Sequence, residues 1–160
     1  MIDKDVLIRR ASHGDELQIW QVHTNAVKVF IGRDYSQEIV EEYLPSEPIK
    51  NIENITWRSF FVAEINNNIV GYSAIMLATG KIPVILIHSD YVRQGIGSRL
   101  MMEMERLAKE NGVEVLKLNS TYYGHKFYKT LGFVGDELGV EIGPKTGMKV
   151  PCYPMTKKLP

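Results

Sequence analysis

The sequence holds a single cysteine, Cys152, among its 160 residues. That excludes a disulfide framework and a cysteine metal cluster. It fits a reducing setting, which makes the cytoplasm the expected compartment. Charge of one sign is missing too, since 19 Lys and Arg balance 19 Asp and Glu. A whole-molecule field that gathers nucleic acid or anionic membrane is therefore not expected. No apolar run approaches the ~20 residues that cross a bilayer. The stretch KDVLIRR near the N-terminus is too charged for a signal peptide. No repeat or low-complexity tract divides the chain. Its length of 160 residues gives one expected domain, 1–160, able to bury a core without staples.

What is present is ordinary for a globular protein: 44% hydrophobic and 24% charged residues. Val6 to Arg10 reads as a strand. Asp15 to about Phe30 reads as a helix with Leu17, Trp20, Val27 and Phe30 sharing a face. Ser36 is placed to cap a second helix, QEIVEEYL, which Pro45 and Pro48 end. SFFVAEI, from Ser59, and the run from Ile69 to about Ala78 read as antiparallel strands around Asn66-Asn67-Asn68, because asparagine tolerates left-handed backbone. Pro83 to His88 is a further strand. A helix from about Gly95 to Asn111 follows, closed by Gly112. VEVLKLN reads as a strand and Thr121 to Leu131 as a helix. Phe133 to Ile142 and Met148 to Thr156 form a closing hairpin around GPKTG. The order β-α-α-β-β-β-α-β-α-β-β predicts an α/β (α+β) fold, a mixed sheet with helices packed on its faces.

The most informative stretch is VILIHSDYVRQGIGSRLMMEMERLAKENG, from Val84 to Gly112. A strand ends in a glycine turn and enters a helix. Such a turn points partnerless amides at one spot, and the helix dipole adds positive charge there. The spot suits phosphate. Arg93 adds a charged donor. The turn is no Walker A loop, because no Gly-Lys-Ser/Thr follows. Nor is it a dinucleotide fingerprint, since Leu100 stands where a third glycine belongs. On its own the glycine pair also suits simple chain reversal.

Two motifs narrow the choice. HSDYVRQGIGSRLM resembles motif A of the GNAT superfamily of N-acetyltransferases, a Gln/Arg-x-x-Gly-x-Gly/Ala loop between strand and helix. Downstream, KFYKTLGFV resembles the family's motif B, a helical Phe-Tyr pair before a Gly-Phe turn. The resemblance runs through the whole chain and is strongest from about Phe60 to Val134. One departure is Val92, which occupies the Gln/Arg position. The resemblance implies a single-domain fold with a mixed, mostly antiparallel sheet flanked by helices. It implies acetyl-coenzyme A as co-substrate and leaves a homodimer open. Amides of Arg93, Gln94, Gly95, Ile96, Gly97 and Ser98 would hold the pyrophosphate. The backbone of Ile85, Leu86 and Ile87 would pair with the pantetheine arm like an added strand. Tyr128 would protonate the leaving thiolate, the alternative being a packing role beside Phe127. Thr121 would contact the coenzyme or serve only as a helix cap.

The implied reaction is acetyl transfer from a thioester to an amine of a small molecule or peptide. A free amine is mostly protonated at neutral pH, so a base or proton wire is needed. Many relatives carry a Glu in the strand before the loop, and KIPVILIH has none. His88, at the strand's end, is the candidate base, or else a solvated loop histidine. Asp34, Glu38, Glu41 and Glu42 could draw a polyamine-like acceptor, or form a solvated face. Tyr35, Tyr43 and Trp57 could line a pocket or pack. Val92 and the missing Glu also suit a catalytically silent acyl-CoA-binding module. A nucleotide-binding α/β domain is a third alternative.

Overall fold

The computed structural model describes residues 5–160; residues 1–4, part of the N-terminal stretch read for a signal peptide, lie outside it. Seven strands form a sheet in the order β1-β2-β3-β4-β5-β7-β6. β1 (Val6–Arg10), β2 (Ser59–Ile65), β3 (Asn68–Met76) and β4 (Lys81–Ile87) pair antiparallel. The β2–β3 turn places Asn66 and Asn67 at φ of 50° and 67°. β5 (Val115–Ser120), β6 (Gly139–Ile142) and β7 (Lys149–Lys158) form the other half, with β7 antiparallel to both neighbours. The halves meet between β4 and β5, the one parallel contact among the described residues, registered at Lys81 and Lys117.

Strand alternation assigns the two faces of the sheet. Phe61, Ala63 and Ile75 turn toward α3 (Ile96–Glu110), which buries Ile96, Leu100, Met101, Met104 and Ala108, and the β2–β3 register shift at Ala63/Glu64 brings Val70 to the same side. Phe60, Val62, Tyr72 and Ala74 turn to the opposite side and meet Ile19 and Val22 of α1 (Glu16–Ala26). The apolar face expected for the helix from Asp15 to about Phe30 is corrected in part, since Val27 is buried as expected. Leu17 is 54% exposed, and Ile19, Val22 and Ala26 face the core instead. The Gln18 carboxamide accepts from Ile69 N–H at 2.9 Å, which ties that side of the helix to the start of β3. The helix then loosens into a π-helical turn, Val27–Ile31. Its extra residue puts Ile31 inward in place of Phe30, which stacks on Tyr123 at 4.5 Å.

Ser36 Oγ caps α2 (Gln37–Glu42) as expected, accepting from Ile39 N–H at 3.3 Å. The last helix is shorter than expected. Thr121 to Gly124 form a turn in which Thr121 Oγ1 accepts from Gly124 N–H at 3.2 Å, and α4 spans only His125–Thr130. β6 is likewise short, because Val134 makes only an isolated bridge to Thr156. Among the described residues no helix is long and apolar enough to cross a membrane.

Candidate active site

β4 and β5 diverge past their single pair, which leaves the β5-facing edge of β4 open. His88 N–H donates to Val70 O on β3 at 2.8 Å. By alternation the N–H groups of Ile85 and Ile87 then point the other way, into the gap. A cavity of about 360 Å³ fills this opening. Ile85 and Leu86 line it from β4, Asn119 from β5, and Thr121 and Tyr128 from the segment beyond. Val27 and Ile31 of the π-helical turn close the roof.

At the far end of β4 the chain enters the glycine turn. Gly95 is the N-cap of α3 at φ 81°, with no side-chain cap on the amides behind it. Those amides and the helix dipole stay available to an anion. Arg93 is also left-handed, at φ 60°, and its side chain is exposed. The Gln94 Oε1, an acceptor, is shielded and has no hydrogen-bond partner. Gly97 has a second duty: a Cβ there would lie 3.0 Å from the Phe127 ring, so the glycine lets α3 and α4 approach.

Tyr128 is half-buried, with its ring near Phe127 and Phe133 at 5.2 and 5.8 Å. Desolvation pushes its phenol above the ordinary tyrosine range. It therefore keeps its proton at neutral pH and can only donate it. His88 is not brought to the cavity. It lies on the loop, with Nδ1 accepting from Asp90 N–H at 3.1 Å. The acids of the first helices stay out as well. Glu38 and Glu41 are exposed, and Glu42 is buried, accepting from Thr146 Oγ1 at 2.6 Å and from Lys145 and Thr146 N–H. Tyr35 and Tyr43 line the cavity, whereas Trp57 is exposed. Cys152 is buried and its thiol is pushed up to about 11 by desolvation, a poor nucleophile.

Three cavity residues escaped the reading of the sequence. Glu141 accepts from the Tyr43 hydroxyl at 2.5 Å and from Asn119 Nδ2 at 3.3 Å. His23 bridges Tyr72 Oη and the Tyr43 carbonyl at 2.6 and 2.7 Å. A carbonyl only accepts, so Nε2 carries the proton and Nδ1 accepts from Tyr72. Arg58 is the third. The strand GVEI held a signal for Glu141. Its two β-branched residues face outward, with Val140 54% and Ile142 65% exposed, and the acid between them turns in.

Residues 23–159 match the family described as Acetyltransferase (GNAT) domain. The chain belongs to the GNAT superfamily of N-acetyltransferases. Solved structures share the fold. A GCN5-related N-acetyltransferase from Rhodopseudomonas palustris is 19% identical, with a TM-score of 0.82 over 96% of this chain and 95% of that one. The PaiA N-acetyltransferase of Thermoplasma acidophilum, solved with coenzyme A, is 20% identical, with a TM-score of 0.70 over 96% and 98%. The ribosomal-protein-S18-alanine N-acetyltransferase of Escherichia coli is 17% identical, at 0.67 over 96% and 94%. No curated protein sequence matches the chain. The acyl donor of a GNAT enzyme is acetyl-coenzyme A. This chain's residues fit it: an uncapped helix N-terminus for phosphate, an open strand edge for the amide-bearing arm, and a gap beside Val84, Ile85 and Leu86 for the acetyl group.

Proposed function

We propose that the protein moves the acetyl group of acetyl-coenzyme A directly to a primary amine of a small molecule or peptide. One observation carries this reading. Ile85 and the half-buried Tyr128 line the same cavity, the amide of Ile87 points to the same side of β4 by alternation, and β4 leads on to the uncapped N-terminus of α3.

When bound, acetyl-coenzyme A supplies a thioester carbonyl and a sulfur leaving group. Ile87 N–H donates to that carbonyl oxygen as negative charge builds on it, from a strand that needs no rearrangement. A free amine titrates near 10 and so arrives protonated; Glu141 holds the incoming ammonium at the cavity and relays its proton to solvent. In this reading Glu141 takes the role of proton acceptor first expected of His88; Glu141 lines the cavity and His88 does not. The new N–C bond forms as the C–S bond breaks; the nitrogen gives up its second proton, which like the first leaves through Glu141 to solvent, and the Tyr128 hydroxyl gives its proton to the departing sulfur. Solvent then restores it. Amides of Arg93 to Ser98 hold the pyrophosphate, and Thr121 sits where a second contact to the coenzyme is available. The four acids of the first helices leave no polycation site in the cavity, so the acceptor is not defined by them.

Thermal shift with coenzyme A, then thiol release from acetyl-coenzyme A over an amine panel, tests the reading. A shift with amine-dependent thiol release is expected. A shift with no release for any amine would instead identify a silent acyl-CoA-binding module.

A further inference from the structure

Arg58 is a cation without a counter-charge. Its Nε is shielded from solvent and has no hydrogen-bond partner. Among the described residues no carboxylate forms an ion pair with it. Its guanidinium lies over the Trp57 ring, 4.5 Å from the centroid. Tyr72 and Val84 line the same cavity beside it. Arg58 is half-buried, and a guanidinium partly withdrawn from water with no ion-pair partner costs the fold stability.

The phosphates of the coenzyme do not explain it. Ser59, the next residue, pairs with Ile75 on β3, and Met76 pairs with Lys81 at the start of β4. Arg58 therefore stands at the opening end of β4, while the glycine turn follows the closing end. Seven residues lie between, about 20 Å of strand at ~3.3 Å each. The anion that Arg58 awaits belongs to the other substrate. The planar guanidinium offers a pair of donors that matches one carboxylate, and Lys81 lines the same cavity as a second cation. At the same cavity Glu141 offers the opposite charge.

Resting on the transferase reading above, we infer that the acceptor is a small amine that also carries a carboxylate, with Arg58 holding the carboxylate and Glu141 facing the amine. The acceptor class is then that of amino acids, free or at the C-terminus of a very short peptide, rather than polyamines or simple amines.

The test compares amino acids with their decarboxylated and amidated counterparts, plus a phosphate-bearing amine, in wild type, Arg58→Gln and Arg58→Lys. Wild type should prefer the carboxylates. Arg58→Gln should raise KM for them about 10- to 100-fold, the worth of one charged hydrogen bond, and leave neutral amines unchanged. Arg58→Lys should recover part of the loss. A second readout needs no turnover: the carboxylates should shift the melting of the coenzyme A complex in wild type and not in Arg58→Gln. Melting of Arg58→Gln alone should hold or rise, because an uncompensated cation is removed. Equal use of the amidated or decarboxylated partners, preference for the phosphate-bearing amine, or a preference that survives Arg58→Gln would each overturn the inference and leave the transferase standing. Coenzyme A binding with no turnover of any amine and no carboxylate-dependent shift overturns it as well. Absence of coenzyme A binding removes the reading beneath it.

Discussion

Tyr128 offers the sharpest single-residue test. Phenylalanine removes one oxygen and keeps the ring contacts with Phe127 and Phe133. Tyr128→Phe should slow turnover about 10- to 10⁴-fold, the range for a lost general acid. Coenzyme A binding should stay as in wild type, read by thermal shift. Unchanged turnover would leave Tyr128 a packing residue. Glu141→Gln keeps the acceptor oxygen for Tyr43 but cannot take a proton. Its kcat/KM should fall at neutral pH and recover as pH rises toward the amine's own titration, whereas His88→Gln should leave the pH profile in place. Arg93→Gly isolates a charge. A left-handed non-glycine residue costs roughly 1–2 kcal/mol, and glycine's freedom in the unfolded chain costs roughly 0.5–1 kcal/mol. Stability should therefore change little, so weaker coenzyme A binding would report the lost guanidinium. Legibility at this scale followed sequence distance. Tyr128 and the glycine turn sit inside local motifs. Glu141, His23 and Arg58 reach the cavity from three distant segments, and no local pattern joins them.

For the elements, the N-terminus of α3 carries the prediction. Ser98 lies in its first turn, where a negative side chain favours the helix by about 0.3–1 kcal/mol. The same charge would repel a pyrophosphate held by the neighbouring amides. Ser98→Glu should therefore melt no lower than wild type and yet lose the shift with coenzyme A. A retained shift would remove phosphate from this loop. Elements with strict period or strong punctuation were legible. The Asn-Asn turn set β2 and β3, and Gly112, at φ 75°, closed α3. The face of α1 was not legible, because a π-helical turn breaks the 3.6 count and a hydrogen bond from β3 fixes its rotation. The short α4 was hidden because Thr121 satisfies an amide locally and ends the turn before the helix begins.

For the whole molecule, pH tests the joint between the sheet and the first helices. Burial lowers the pKa of His23 below its ordinary value. The unfolded chain then binds the proton more readily than the fold, so stability rises with pH across that window. Stability should be complete above about 6.5 and fall as pH drops below it. His23→Gln should flatten that step in melting temperature, leaving the steeper loss below about 4 that Asp15 and Glu42 produce through their lowered pKa values. An unaltered step would place the titration elsewhere.

The single parallel pair between Lys81 and Lys117 has a further consequence. Amides in the middle of a sheet normally trade their hydrogens with solvent only when the whole protein opens. Ile85 and Ile87 sit mid-sheet by position, yet their N–H groups face a gap. In heavy water they should label within the time of a surface loop, while Leu86, bonded toward β3, resists beside them. A molecule lodged in the gap would slow Ile85 and Ile87 alone, so two alternate amides of one strand become a clock for occupancy.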